Sequence, residues 1–172
     1  MTIVFELGPD FFRWEDIPLS VDDLKYGFEH GMISATTAID LAVREVERGD
    51  VDPVLPEVAS LLRDDADELP DVLAQLDAPG RANDPGLSAR RWLYLQLRAA
   101  YDRRRDLADP LGVVEELYAD FDYPPRIEGF VRYMPLRADN EPGEAALFDR
   151  WAAYLDTERD ALSASPADGE GA

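Results

Sequence analysis

Five groups of side chains are the first candidates for chemistry in this chain, and most of them are acidic. Asp64, Asp65, Asp67 and Glu68 crowd one short stretch. Oxygen ligands at such density can hold Mg²⁺ or Ca²⁺. The spacing, however, has neither the glycine turn nor the downstream glutamate of an EF-hand loop. A solvated connection between helices explains it more simply. A second group, Glu115, Glu116, Asp120 and Asp122, is interleaved with Tyr118, Phe121 and Tyr123. Paired carboxylates do acid–base work only where a cleft raises one of their pKa values. Structural roles, with Asp122 capping the next helical turn, and a protein-binding surface are the readings preferred to catalysis. Histidine occurs once, at His30, which removes a multi-histidine metal site and a histidine dyad within one chain. At a helix end its imidazole serves best as a partner for the last carbonyls. Nucleophile and phosphate signatures are the remaining possibilities. There is no cysteine and no Gly-x-Ser-x-Gly, and Gly80 and Gly86 sit in a proline-broken loop rather than at a strand–helix junction.

The fifth group is cationic. Between Arg81 and Arg105 stand seven arginines and two acids, a local charge of +5 in a chain of −20. Trp92, Tyr94 and Tyr101 lie among them and could stack on bases. The long-range field is negative, though, and repels a polyanion. The better expectation is an internal electrostatic seam, where this helix meets acidic neighbours. The same field argues against docking on nucleic acid or on an anionic membrane.

Positioning these groups requires a core, and the composition supplies one. Of 172 residues, 46% are apolar and 10% aromatic, a globular balance. A chain of this size buries roughly 70% of its unfolded surface. Apolar runs reach about four residues, far short of the roughly 20 that span a bilayer. The first ten residues have no basic segment and no long apolar stretch, so they do not read as a signal peptide. The expected location is the cytoplasm.

Helical periodicity dominates. A short turn is expected at 10–14. Ser20 caps a helix from Val21 with Val21, Leu24 and Phe28 inward, and Gly31 stops it. Ser34 caps the next, whose stripe reads Ala35, Ala38, Ile39, Ala42, Val43 and Val46, ending at Gly49. Asp52–Pro53 opens a helix carrying Val54, Leu55, Val58, Leu61 and Leu62. A short helix comes next, from about Pro70 to Leu76. The 78–86 segment is the strongest loop signal. Further helices are expected from Gly86 to about Arg105, from Asp109–Pro110 through Phe121, briefly from Pro124–Pro125 to about Tyr133, and from Pro142 or Gly143 to about Leu162. Residues 3–7 could form one short edge strand. The fold expected is all-α: one compact domain of packed antiparallel helices over 1–162, with a disordered tail over 163–172.

One segment carries a resemblance. Asp109–Pro135, reading DPLGVVEELYADFDYPPRIEGFVRYMP, resembles the signature of the bacterial family catalogued as domain of unknown function 2247. Leu24–Ser34 with Ala38–Ala42 resembles the family's first helical pair, and Ala59–Leu62 with Arg91–Leu95 its middle. Together these span roughly residues 12–156. The resemblance implies membership among proteins that include immunity proteins encoded beside secreted polymorphic toxins of the LXG type. It carries over no catalytic residue and no cofactor. The implied function is non-enzymatic: stoichiometric neutralisation of a cognate toxin with a basic surface. Charge complementarity speeds such encounters and can occlude a basic cleft, as it does between barnase and barstar, which serve here as an analogy only. The expected interface residues are Asp64, Asp65, Asp67, Glu68, Glu115, Glu116, Tyr118, Asp120, Asp122 and Tyr123. A helical scaffold of other partnership and a divalent-metal-dependent enzyme are the alternatives.

Overall fold

The computed structural model describes residues 5–164, and among them every regular element is a helix. In order these are α1 (Pro9–Trp14), α2 (Val21–Glu29), α3 (Ala35–Glu47), α4 (Leu55–Ala59), a 3₁₀ turn (Arg63–Glu68), α5 (Leu69–Leu73), a second 3₁₀ turn (Ala74–Asp77), α6 (Pro85–Asp102), α7 (Pro110–Asp120), a third 3₁₀ turn (Pro125–Phe130) and α8 (Glu144–Ala164). The described residues divide into two compact units. One is formed by Glu6–Trp92, the other by Leu93–Leu162 together with Phe5, so the division falls inside α6.

The first unit is organised by α2, α3 and α4, with α3 packed against both of the others. Ser20 accepts a hydrogen bond from the Asp23 amide while the Asp23 carboxylate accepts one from the Ser20 amide, a complete capping box. Gly27 then lets α2 approach the ring of Trp92. A Cβ there would overlap the indole, so no larger residue fits without repacking. Both α2 and α3 close with a glycine in the left-handed region, Gly31 (φ 71°) and Gly49 (φ 96°). In each case the amide after the glycine reaches back to a carbonyl of the last turn, Met32 to Gly27 and Asp50 to Glu45.

The α3 stripe is rotated from the one its sequence predicts. Ala38, Ile39, Leu41, Ala42 and Glu45 are buried, whereas Val43 and Val46 are more than a third exposed. The cause is Glu45, which the apolar count leaves on the outside. It is 2% exposed and accepts from Arg44 Nε (2.8 Å) and Arg48 Nη1 (3.3 Å). These arginines also donate to the carbonyls of Ile17 and Asp16, fastening the α1–α2 connection to α3. An acid with two cationic partners can face the interior where an unpaired one could not.

Further differences are local. Asp52 caps the Val54 amide, but α4 begins at Leu55, with Pro56 in its first turn, and ends at Ala59. Leu62 is consequently exposed. α6 stops at Asp102, and 103–106 form turns. The turn after Pro124–Pro125 ends at Phe130. Residues 5–7 form no strand. Instead the Gln96 side-chain amide exchanges both of its hydrogen bonds with the backbone of Phe5, doing the work of a strand neighbour. Residues 3–4 of the expected strand lie outside the described residues, as do 165–172 of the expected tail. Ser163 and Ala164 belong to α8.

The core of the second unit is aromatic. Trp151 is fully buried and lies 5.2 Å from Tyr101, 6.1 Å from Phe130 and 5.9 Å from Phe148, ring centre to ring centre. Such pairs add about 0.5–1.5 kcal/mol each beyond their buried area. Val113, Val114 and Leu117 of α7 and Leu155 of α8 complete the interior.

Candidate functional site

The C-terminal turn of α7 builds the most chemically distinctive surface of the second unit. The helix starts at Asp109, whose side chain accepts from the Gly112 amide at 3.1 Å. It ends in a hydrogen-bonded reversal in which Asp122 donates to the Ala119 carbonyl (3.2 Å) and Tyr123 to that of Tyr118 (2.8 Å). This is the pattern that α2 and α3 complete with glycine. Here Asp122 (φ 62°) and Tyr123 (φ 56°) occupy the left-handed region instead. Aspartate tolerates that region through its short polar side chain; tyrosine has no such relief. Asp122 is therefore the closing residue of α7, not a side-chain cap of the 3₁₀ turn after it, whose N-terminal Pro124 has no side-chain cap bond.

The reversal folds the Tyr123 ring back onto Tyr118. The two rings meet edge to face at 5.2 Å, and Tyr133 lies 6.1 Å from Tyr118 on another side. Tyr118 is 4% exposed, while Tyr123 and Tyr133 are 56% and 58% exposed. Tyr118 is thus the platform of the face, and Tyr123 and Tyr133 are what a partner would touch. The Tyr118 hydroxyl donates to Glu128 at 3.4 Å. Desolvation, and then the Glu128 carboxylate, hold its pKa above the usual tyrosine value. Tyr133 is shifted the same way, by desolvation and then by Tyr123 and Glu115.

Carboxylates surround these rings unequally. Glu115 is bound to Arg132 (2.8 Å), which also grips Asp109 with both terminal nitrogens (3.0 and 2.9 Å). Glu115 first and Asp109 second raise the pKa of the Arg132 guanidinium, and Arg132 in turn holds the Asp109 carboxyl below its usual range. Glu116, Asp120 and Asp122 are exposed. Arg132, Tyr133 and Glu128 belong to this face but are absent from the set expected from sequence. Their segment has no period to trace, and only contact with α7 reveals it.

In the first unit, Asp64, Asp65, Asp67 and Glu68 occupy the 3₁₀ turn between α4 and α5. Asp64, Asp67 and Glu68 are exposed and Asp65 is half-buried. No aromatic ring accompanies them, although exposed Leu62 adjoins them in sequence. Among the described residues no group of three or more His, Asp or Glu is arranged to hold a metal ion. His30 bonds the Tyr26 carbonyl through Nδ1 (2.8 Å) and stacks on the Tyr26 ring, the helix-end role its position predicts.

The arginine-rich segment meets acids of other elements at Arg81 and Arg91, so the expected seam is formed in part. Arg81 bridges Asp22 (2.9 Å) and Asp52 (2.7 Å), Arg98 pairs with Asp102, and Arg104 lies over the Tyr101 ring. Its deepest member is not legible in the sequence. Arg91 is 1% exposed and Asp23 fully buried, joined at 2.6 Å. Asp23 also accepts from Ser88 (2.6 Å), and its carbonyl accepts from the Trp92 indole (2.8 Å). Asp23 reads in the sequence as an ordinary first-turn acid. Only the Arg91 spacing to Arg98 and Arg105 gives any signal, and it points to a shared face rather than to burial.

Comparison with known proteins adds one finding. Residues 10–159 match the bacterial family described as "Uncharacterized protein conserved in bacteria (DUF2247)". The chain belongs to this family. The match takes in α1 through most of α8, and with them both acidic groups and the tyrosine face. No curated protein and no solved structure matches. No helix among the described residues is long and apolar enough to cross a membrane.

Proposed function

We propose that this family member is a non-catalytic immunity protein, a stoichiometric inhibitor that acts in the cytoplasm by binding a cognate toxin with a basic surface. The observation that carries the reading is the tyrosine face: two largely exposed rings on a buried third, beside exposed carboxylates, at a strained turn. Strained backbone concentrates at working sites. Tyrosine is enriched among residues that dominate binding energy, and its ring attracts Lys and Arg side chains. A net charge of −20 supplies long-range attraction for a cationic partner. The family resemblance, which implies kinship with immunity proteins of polymorphic toxin systems, supports the same reading. Tyr123 and Tyr133 are the anchors; Glu116, Asp120 and Asp122 meet the partner's cations at the rim. The 64–68 turn contributes steering.

The test pairs the chain with the product of the neighbouring gene, which the proposal expects to be the toxin, scoring rescue of growth, co-purification and association kinetics. Replacing Tyr123 and Tyr133 together by Ala should weaken the complex by roughly 30-fold or more, mainly through faster dissociation. Reversing Asp64, Asp65, Asp67 and Glu68 should slow association at low salt and leave dissociation nearly unchanged. A chain that neither binds nor protects against that toxin overturns the proposal.

A further inference from the structure

A groove of about 230 Å³ lies on the second unit, beside the tyrosine face, between the 128–137 segment and the start of α8. Three arginines line it: Arg132, Arg137 and Arg150. Arg132 is neutralised by Glu115 and Asp109. The other two are not. Arg150 is held by the carbonyls of Gly129 and Glu141, which fix its plane without cancelling its charge. Arg137 makes no side-chain hydrogen bond or ion pair among the described residues, nor does Arg150 meet a carboxylate there. Glu128, the acid on the wall, accepts the Tyr118 hydroxyl and keeps its charge, so the lining carries three guanidiniums and one carboxylate. With 37 acids available for 17 basic side chains, two guanidiniums without an ion-pair partner in one concavity run against the balance of the whole molecule. The N-terminal end of α8, at Pro142 and Gly143, adds the positive end of a 21-residue helix.

Size and polarity narrow the ligand. The volume is below the roughly 300–1,000 Å³ of pockets for drug-sized molecules, so it suits a group of about one residue. Val131, Met134 and Leu147 give the groove an apolar side. The guanidinium fork fits carboxylate and phosphate alike, but a surrounding charge of −20 disfavours multiply charged anions. We infer that this groove binds a monocarboxylate with a short branched apolar body, presented either as a free small acid or as the C-terminal residue of a peptide. This goes beyond the proposed neutralisation of a basic toxin, and its test needs no toxin, so the two readings fail independently.

The probe is 4-methylpentanoate, titrated into the full chain with ¹³C-labelled methionine methyl groups. The Met134 signal, assigned by its loss in Met134→Leu, should move saturably while buried Met32 stays put. The neutral 4-methylpentanamide should not move it. Arg137→Gln, which removes no hydrogen bond or ion pair among the described residues, should weaken binding roughly tenfold with an unchanged circular dichroism spectrum. Tighter binding by a peptide ending in leucine with a free carboxylate than by the small acid assigns the groove to chain termini; equal binding assigns it to free acids. The inference is overturned by the absence of a saturable shift, by an equal response to the amide, by unchanged affinity in folded Arg137→Gln, or by inorganic phosphate binding more tightly than the carboxylate.

Discussion

Each unit contains an aspartate that serves a helix N-terminus and is gripped by an arginine distant in sequence, and the two pairs differ in little but their surroundings. Asp23 completes the capping box of α2 and meets Arg91 where both are almost wholly buried. Asp109 caps α7 and meets Arg132 where both are about half exposed. Burial makes the first pair hard to break rather than strongly attractive. Removing one member leaves an uncompensated charge away from water. Arg91 is already incompletely served, since its Nε and Nη2 have no hydrogen-bond partner among the described residues. In the second pair water replaces whatever is lost. The same two residue types therefore act as a structural lock in one unit and as an adjustable surface clamp in the other.

Substitutions at several points can break this contrast. Asp23→Ala should cost about 3–5 kcal/mol in urea denaturation, because it strands Arg91 and removes the carboxylate half of the capping box together. A cost near that of an exposed pair would erase the distinction. Next in size is the strained closure of α7. Asp122→Gly should raise stability by about 1 kcal/mol, since glycine occupies the left-handed region without a Cβ penalty. No gain would mean that the Asp122 carboxylate supports the turn by a contact worth as much as the strain. Arg132→Met should change stability by less than about 1 kcal/mol despite breaking two ion pairs.

The smallest effects separate the regions by sign with pH. Arg132, with help from the Gly112 amide, lowers the Asp109 pKa below its ordinary 3.8, so its stabilisation is complete above 3.8 and disappears as pH falls through the folded value. Glu45 is opposite. Burial raises its pKa above 4.5 in spite of Arg44 and Arg48. Above pH 4.5 the unfolded chain releases that proton first, so this contribution declines as pH rises toward the folded value. Denaturation midpoints of Asp109→Asn and Glu45→Gln against pH should each lack the corresponding slope. Parallel curves for Glu45→Gln and the parent chain would show that its arginine partners cancel the effect of burial, and a slope of opposite sign that they outweigh it.

The same physics explains what could be read from the sequence. Ser20, Ser34 and Asp109 announce their helices because a cap is an arrangement among residues three apart. Periodicity locates α6 and α7 for a similar reason. It misplaces the α3 face because the count treats every glutamate as a surface residue, whereas Glu45 is admitted inward by two neighbouring arginines. The candidate interface is half legible. Its carboxylates and Tyr123 lie in one α7 stretch, but Tyr133, Glu128 and Arg132 arrive from a segment without a period. Tyr118, expected at the interface, is almost entirely covered.

By itself the sequence determined the helical class, the main caps and stops, the acidic field and membership in a bacterial family, since each depends on short-range pattern or on summed composition. Tertiary structure alone decided which charges are buried, which tyrosines face outward and where two arginines line one groove without ion-pair partners. Those outcomes depend on the distance and the dielectric between groups far apart in the chain, and neither quantity is written in the local order of residues.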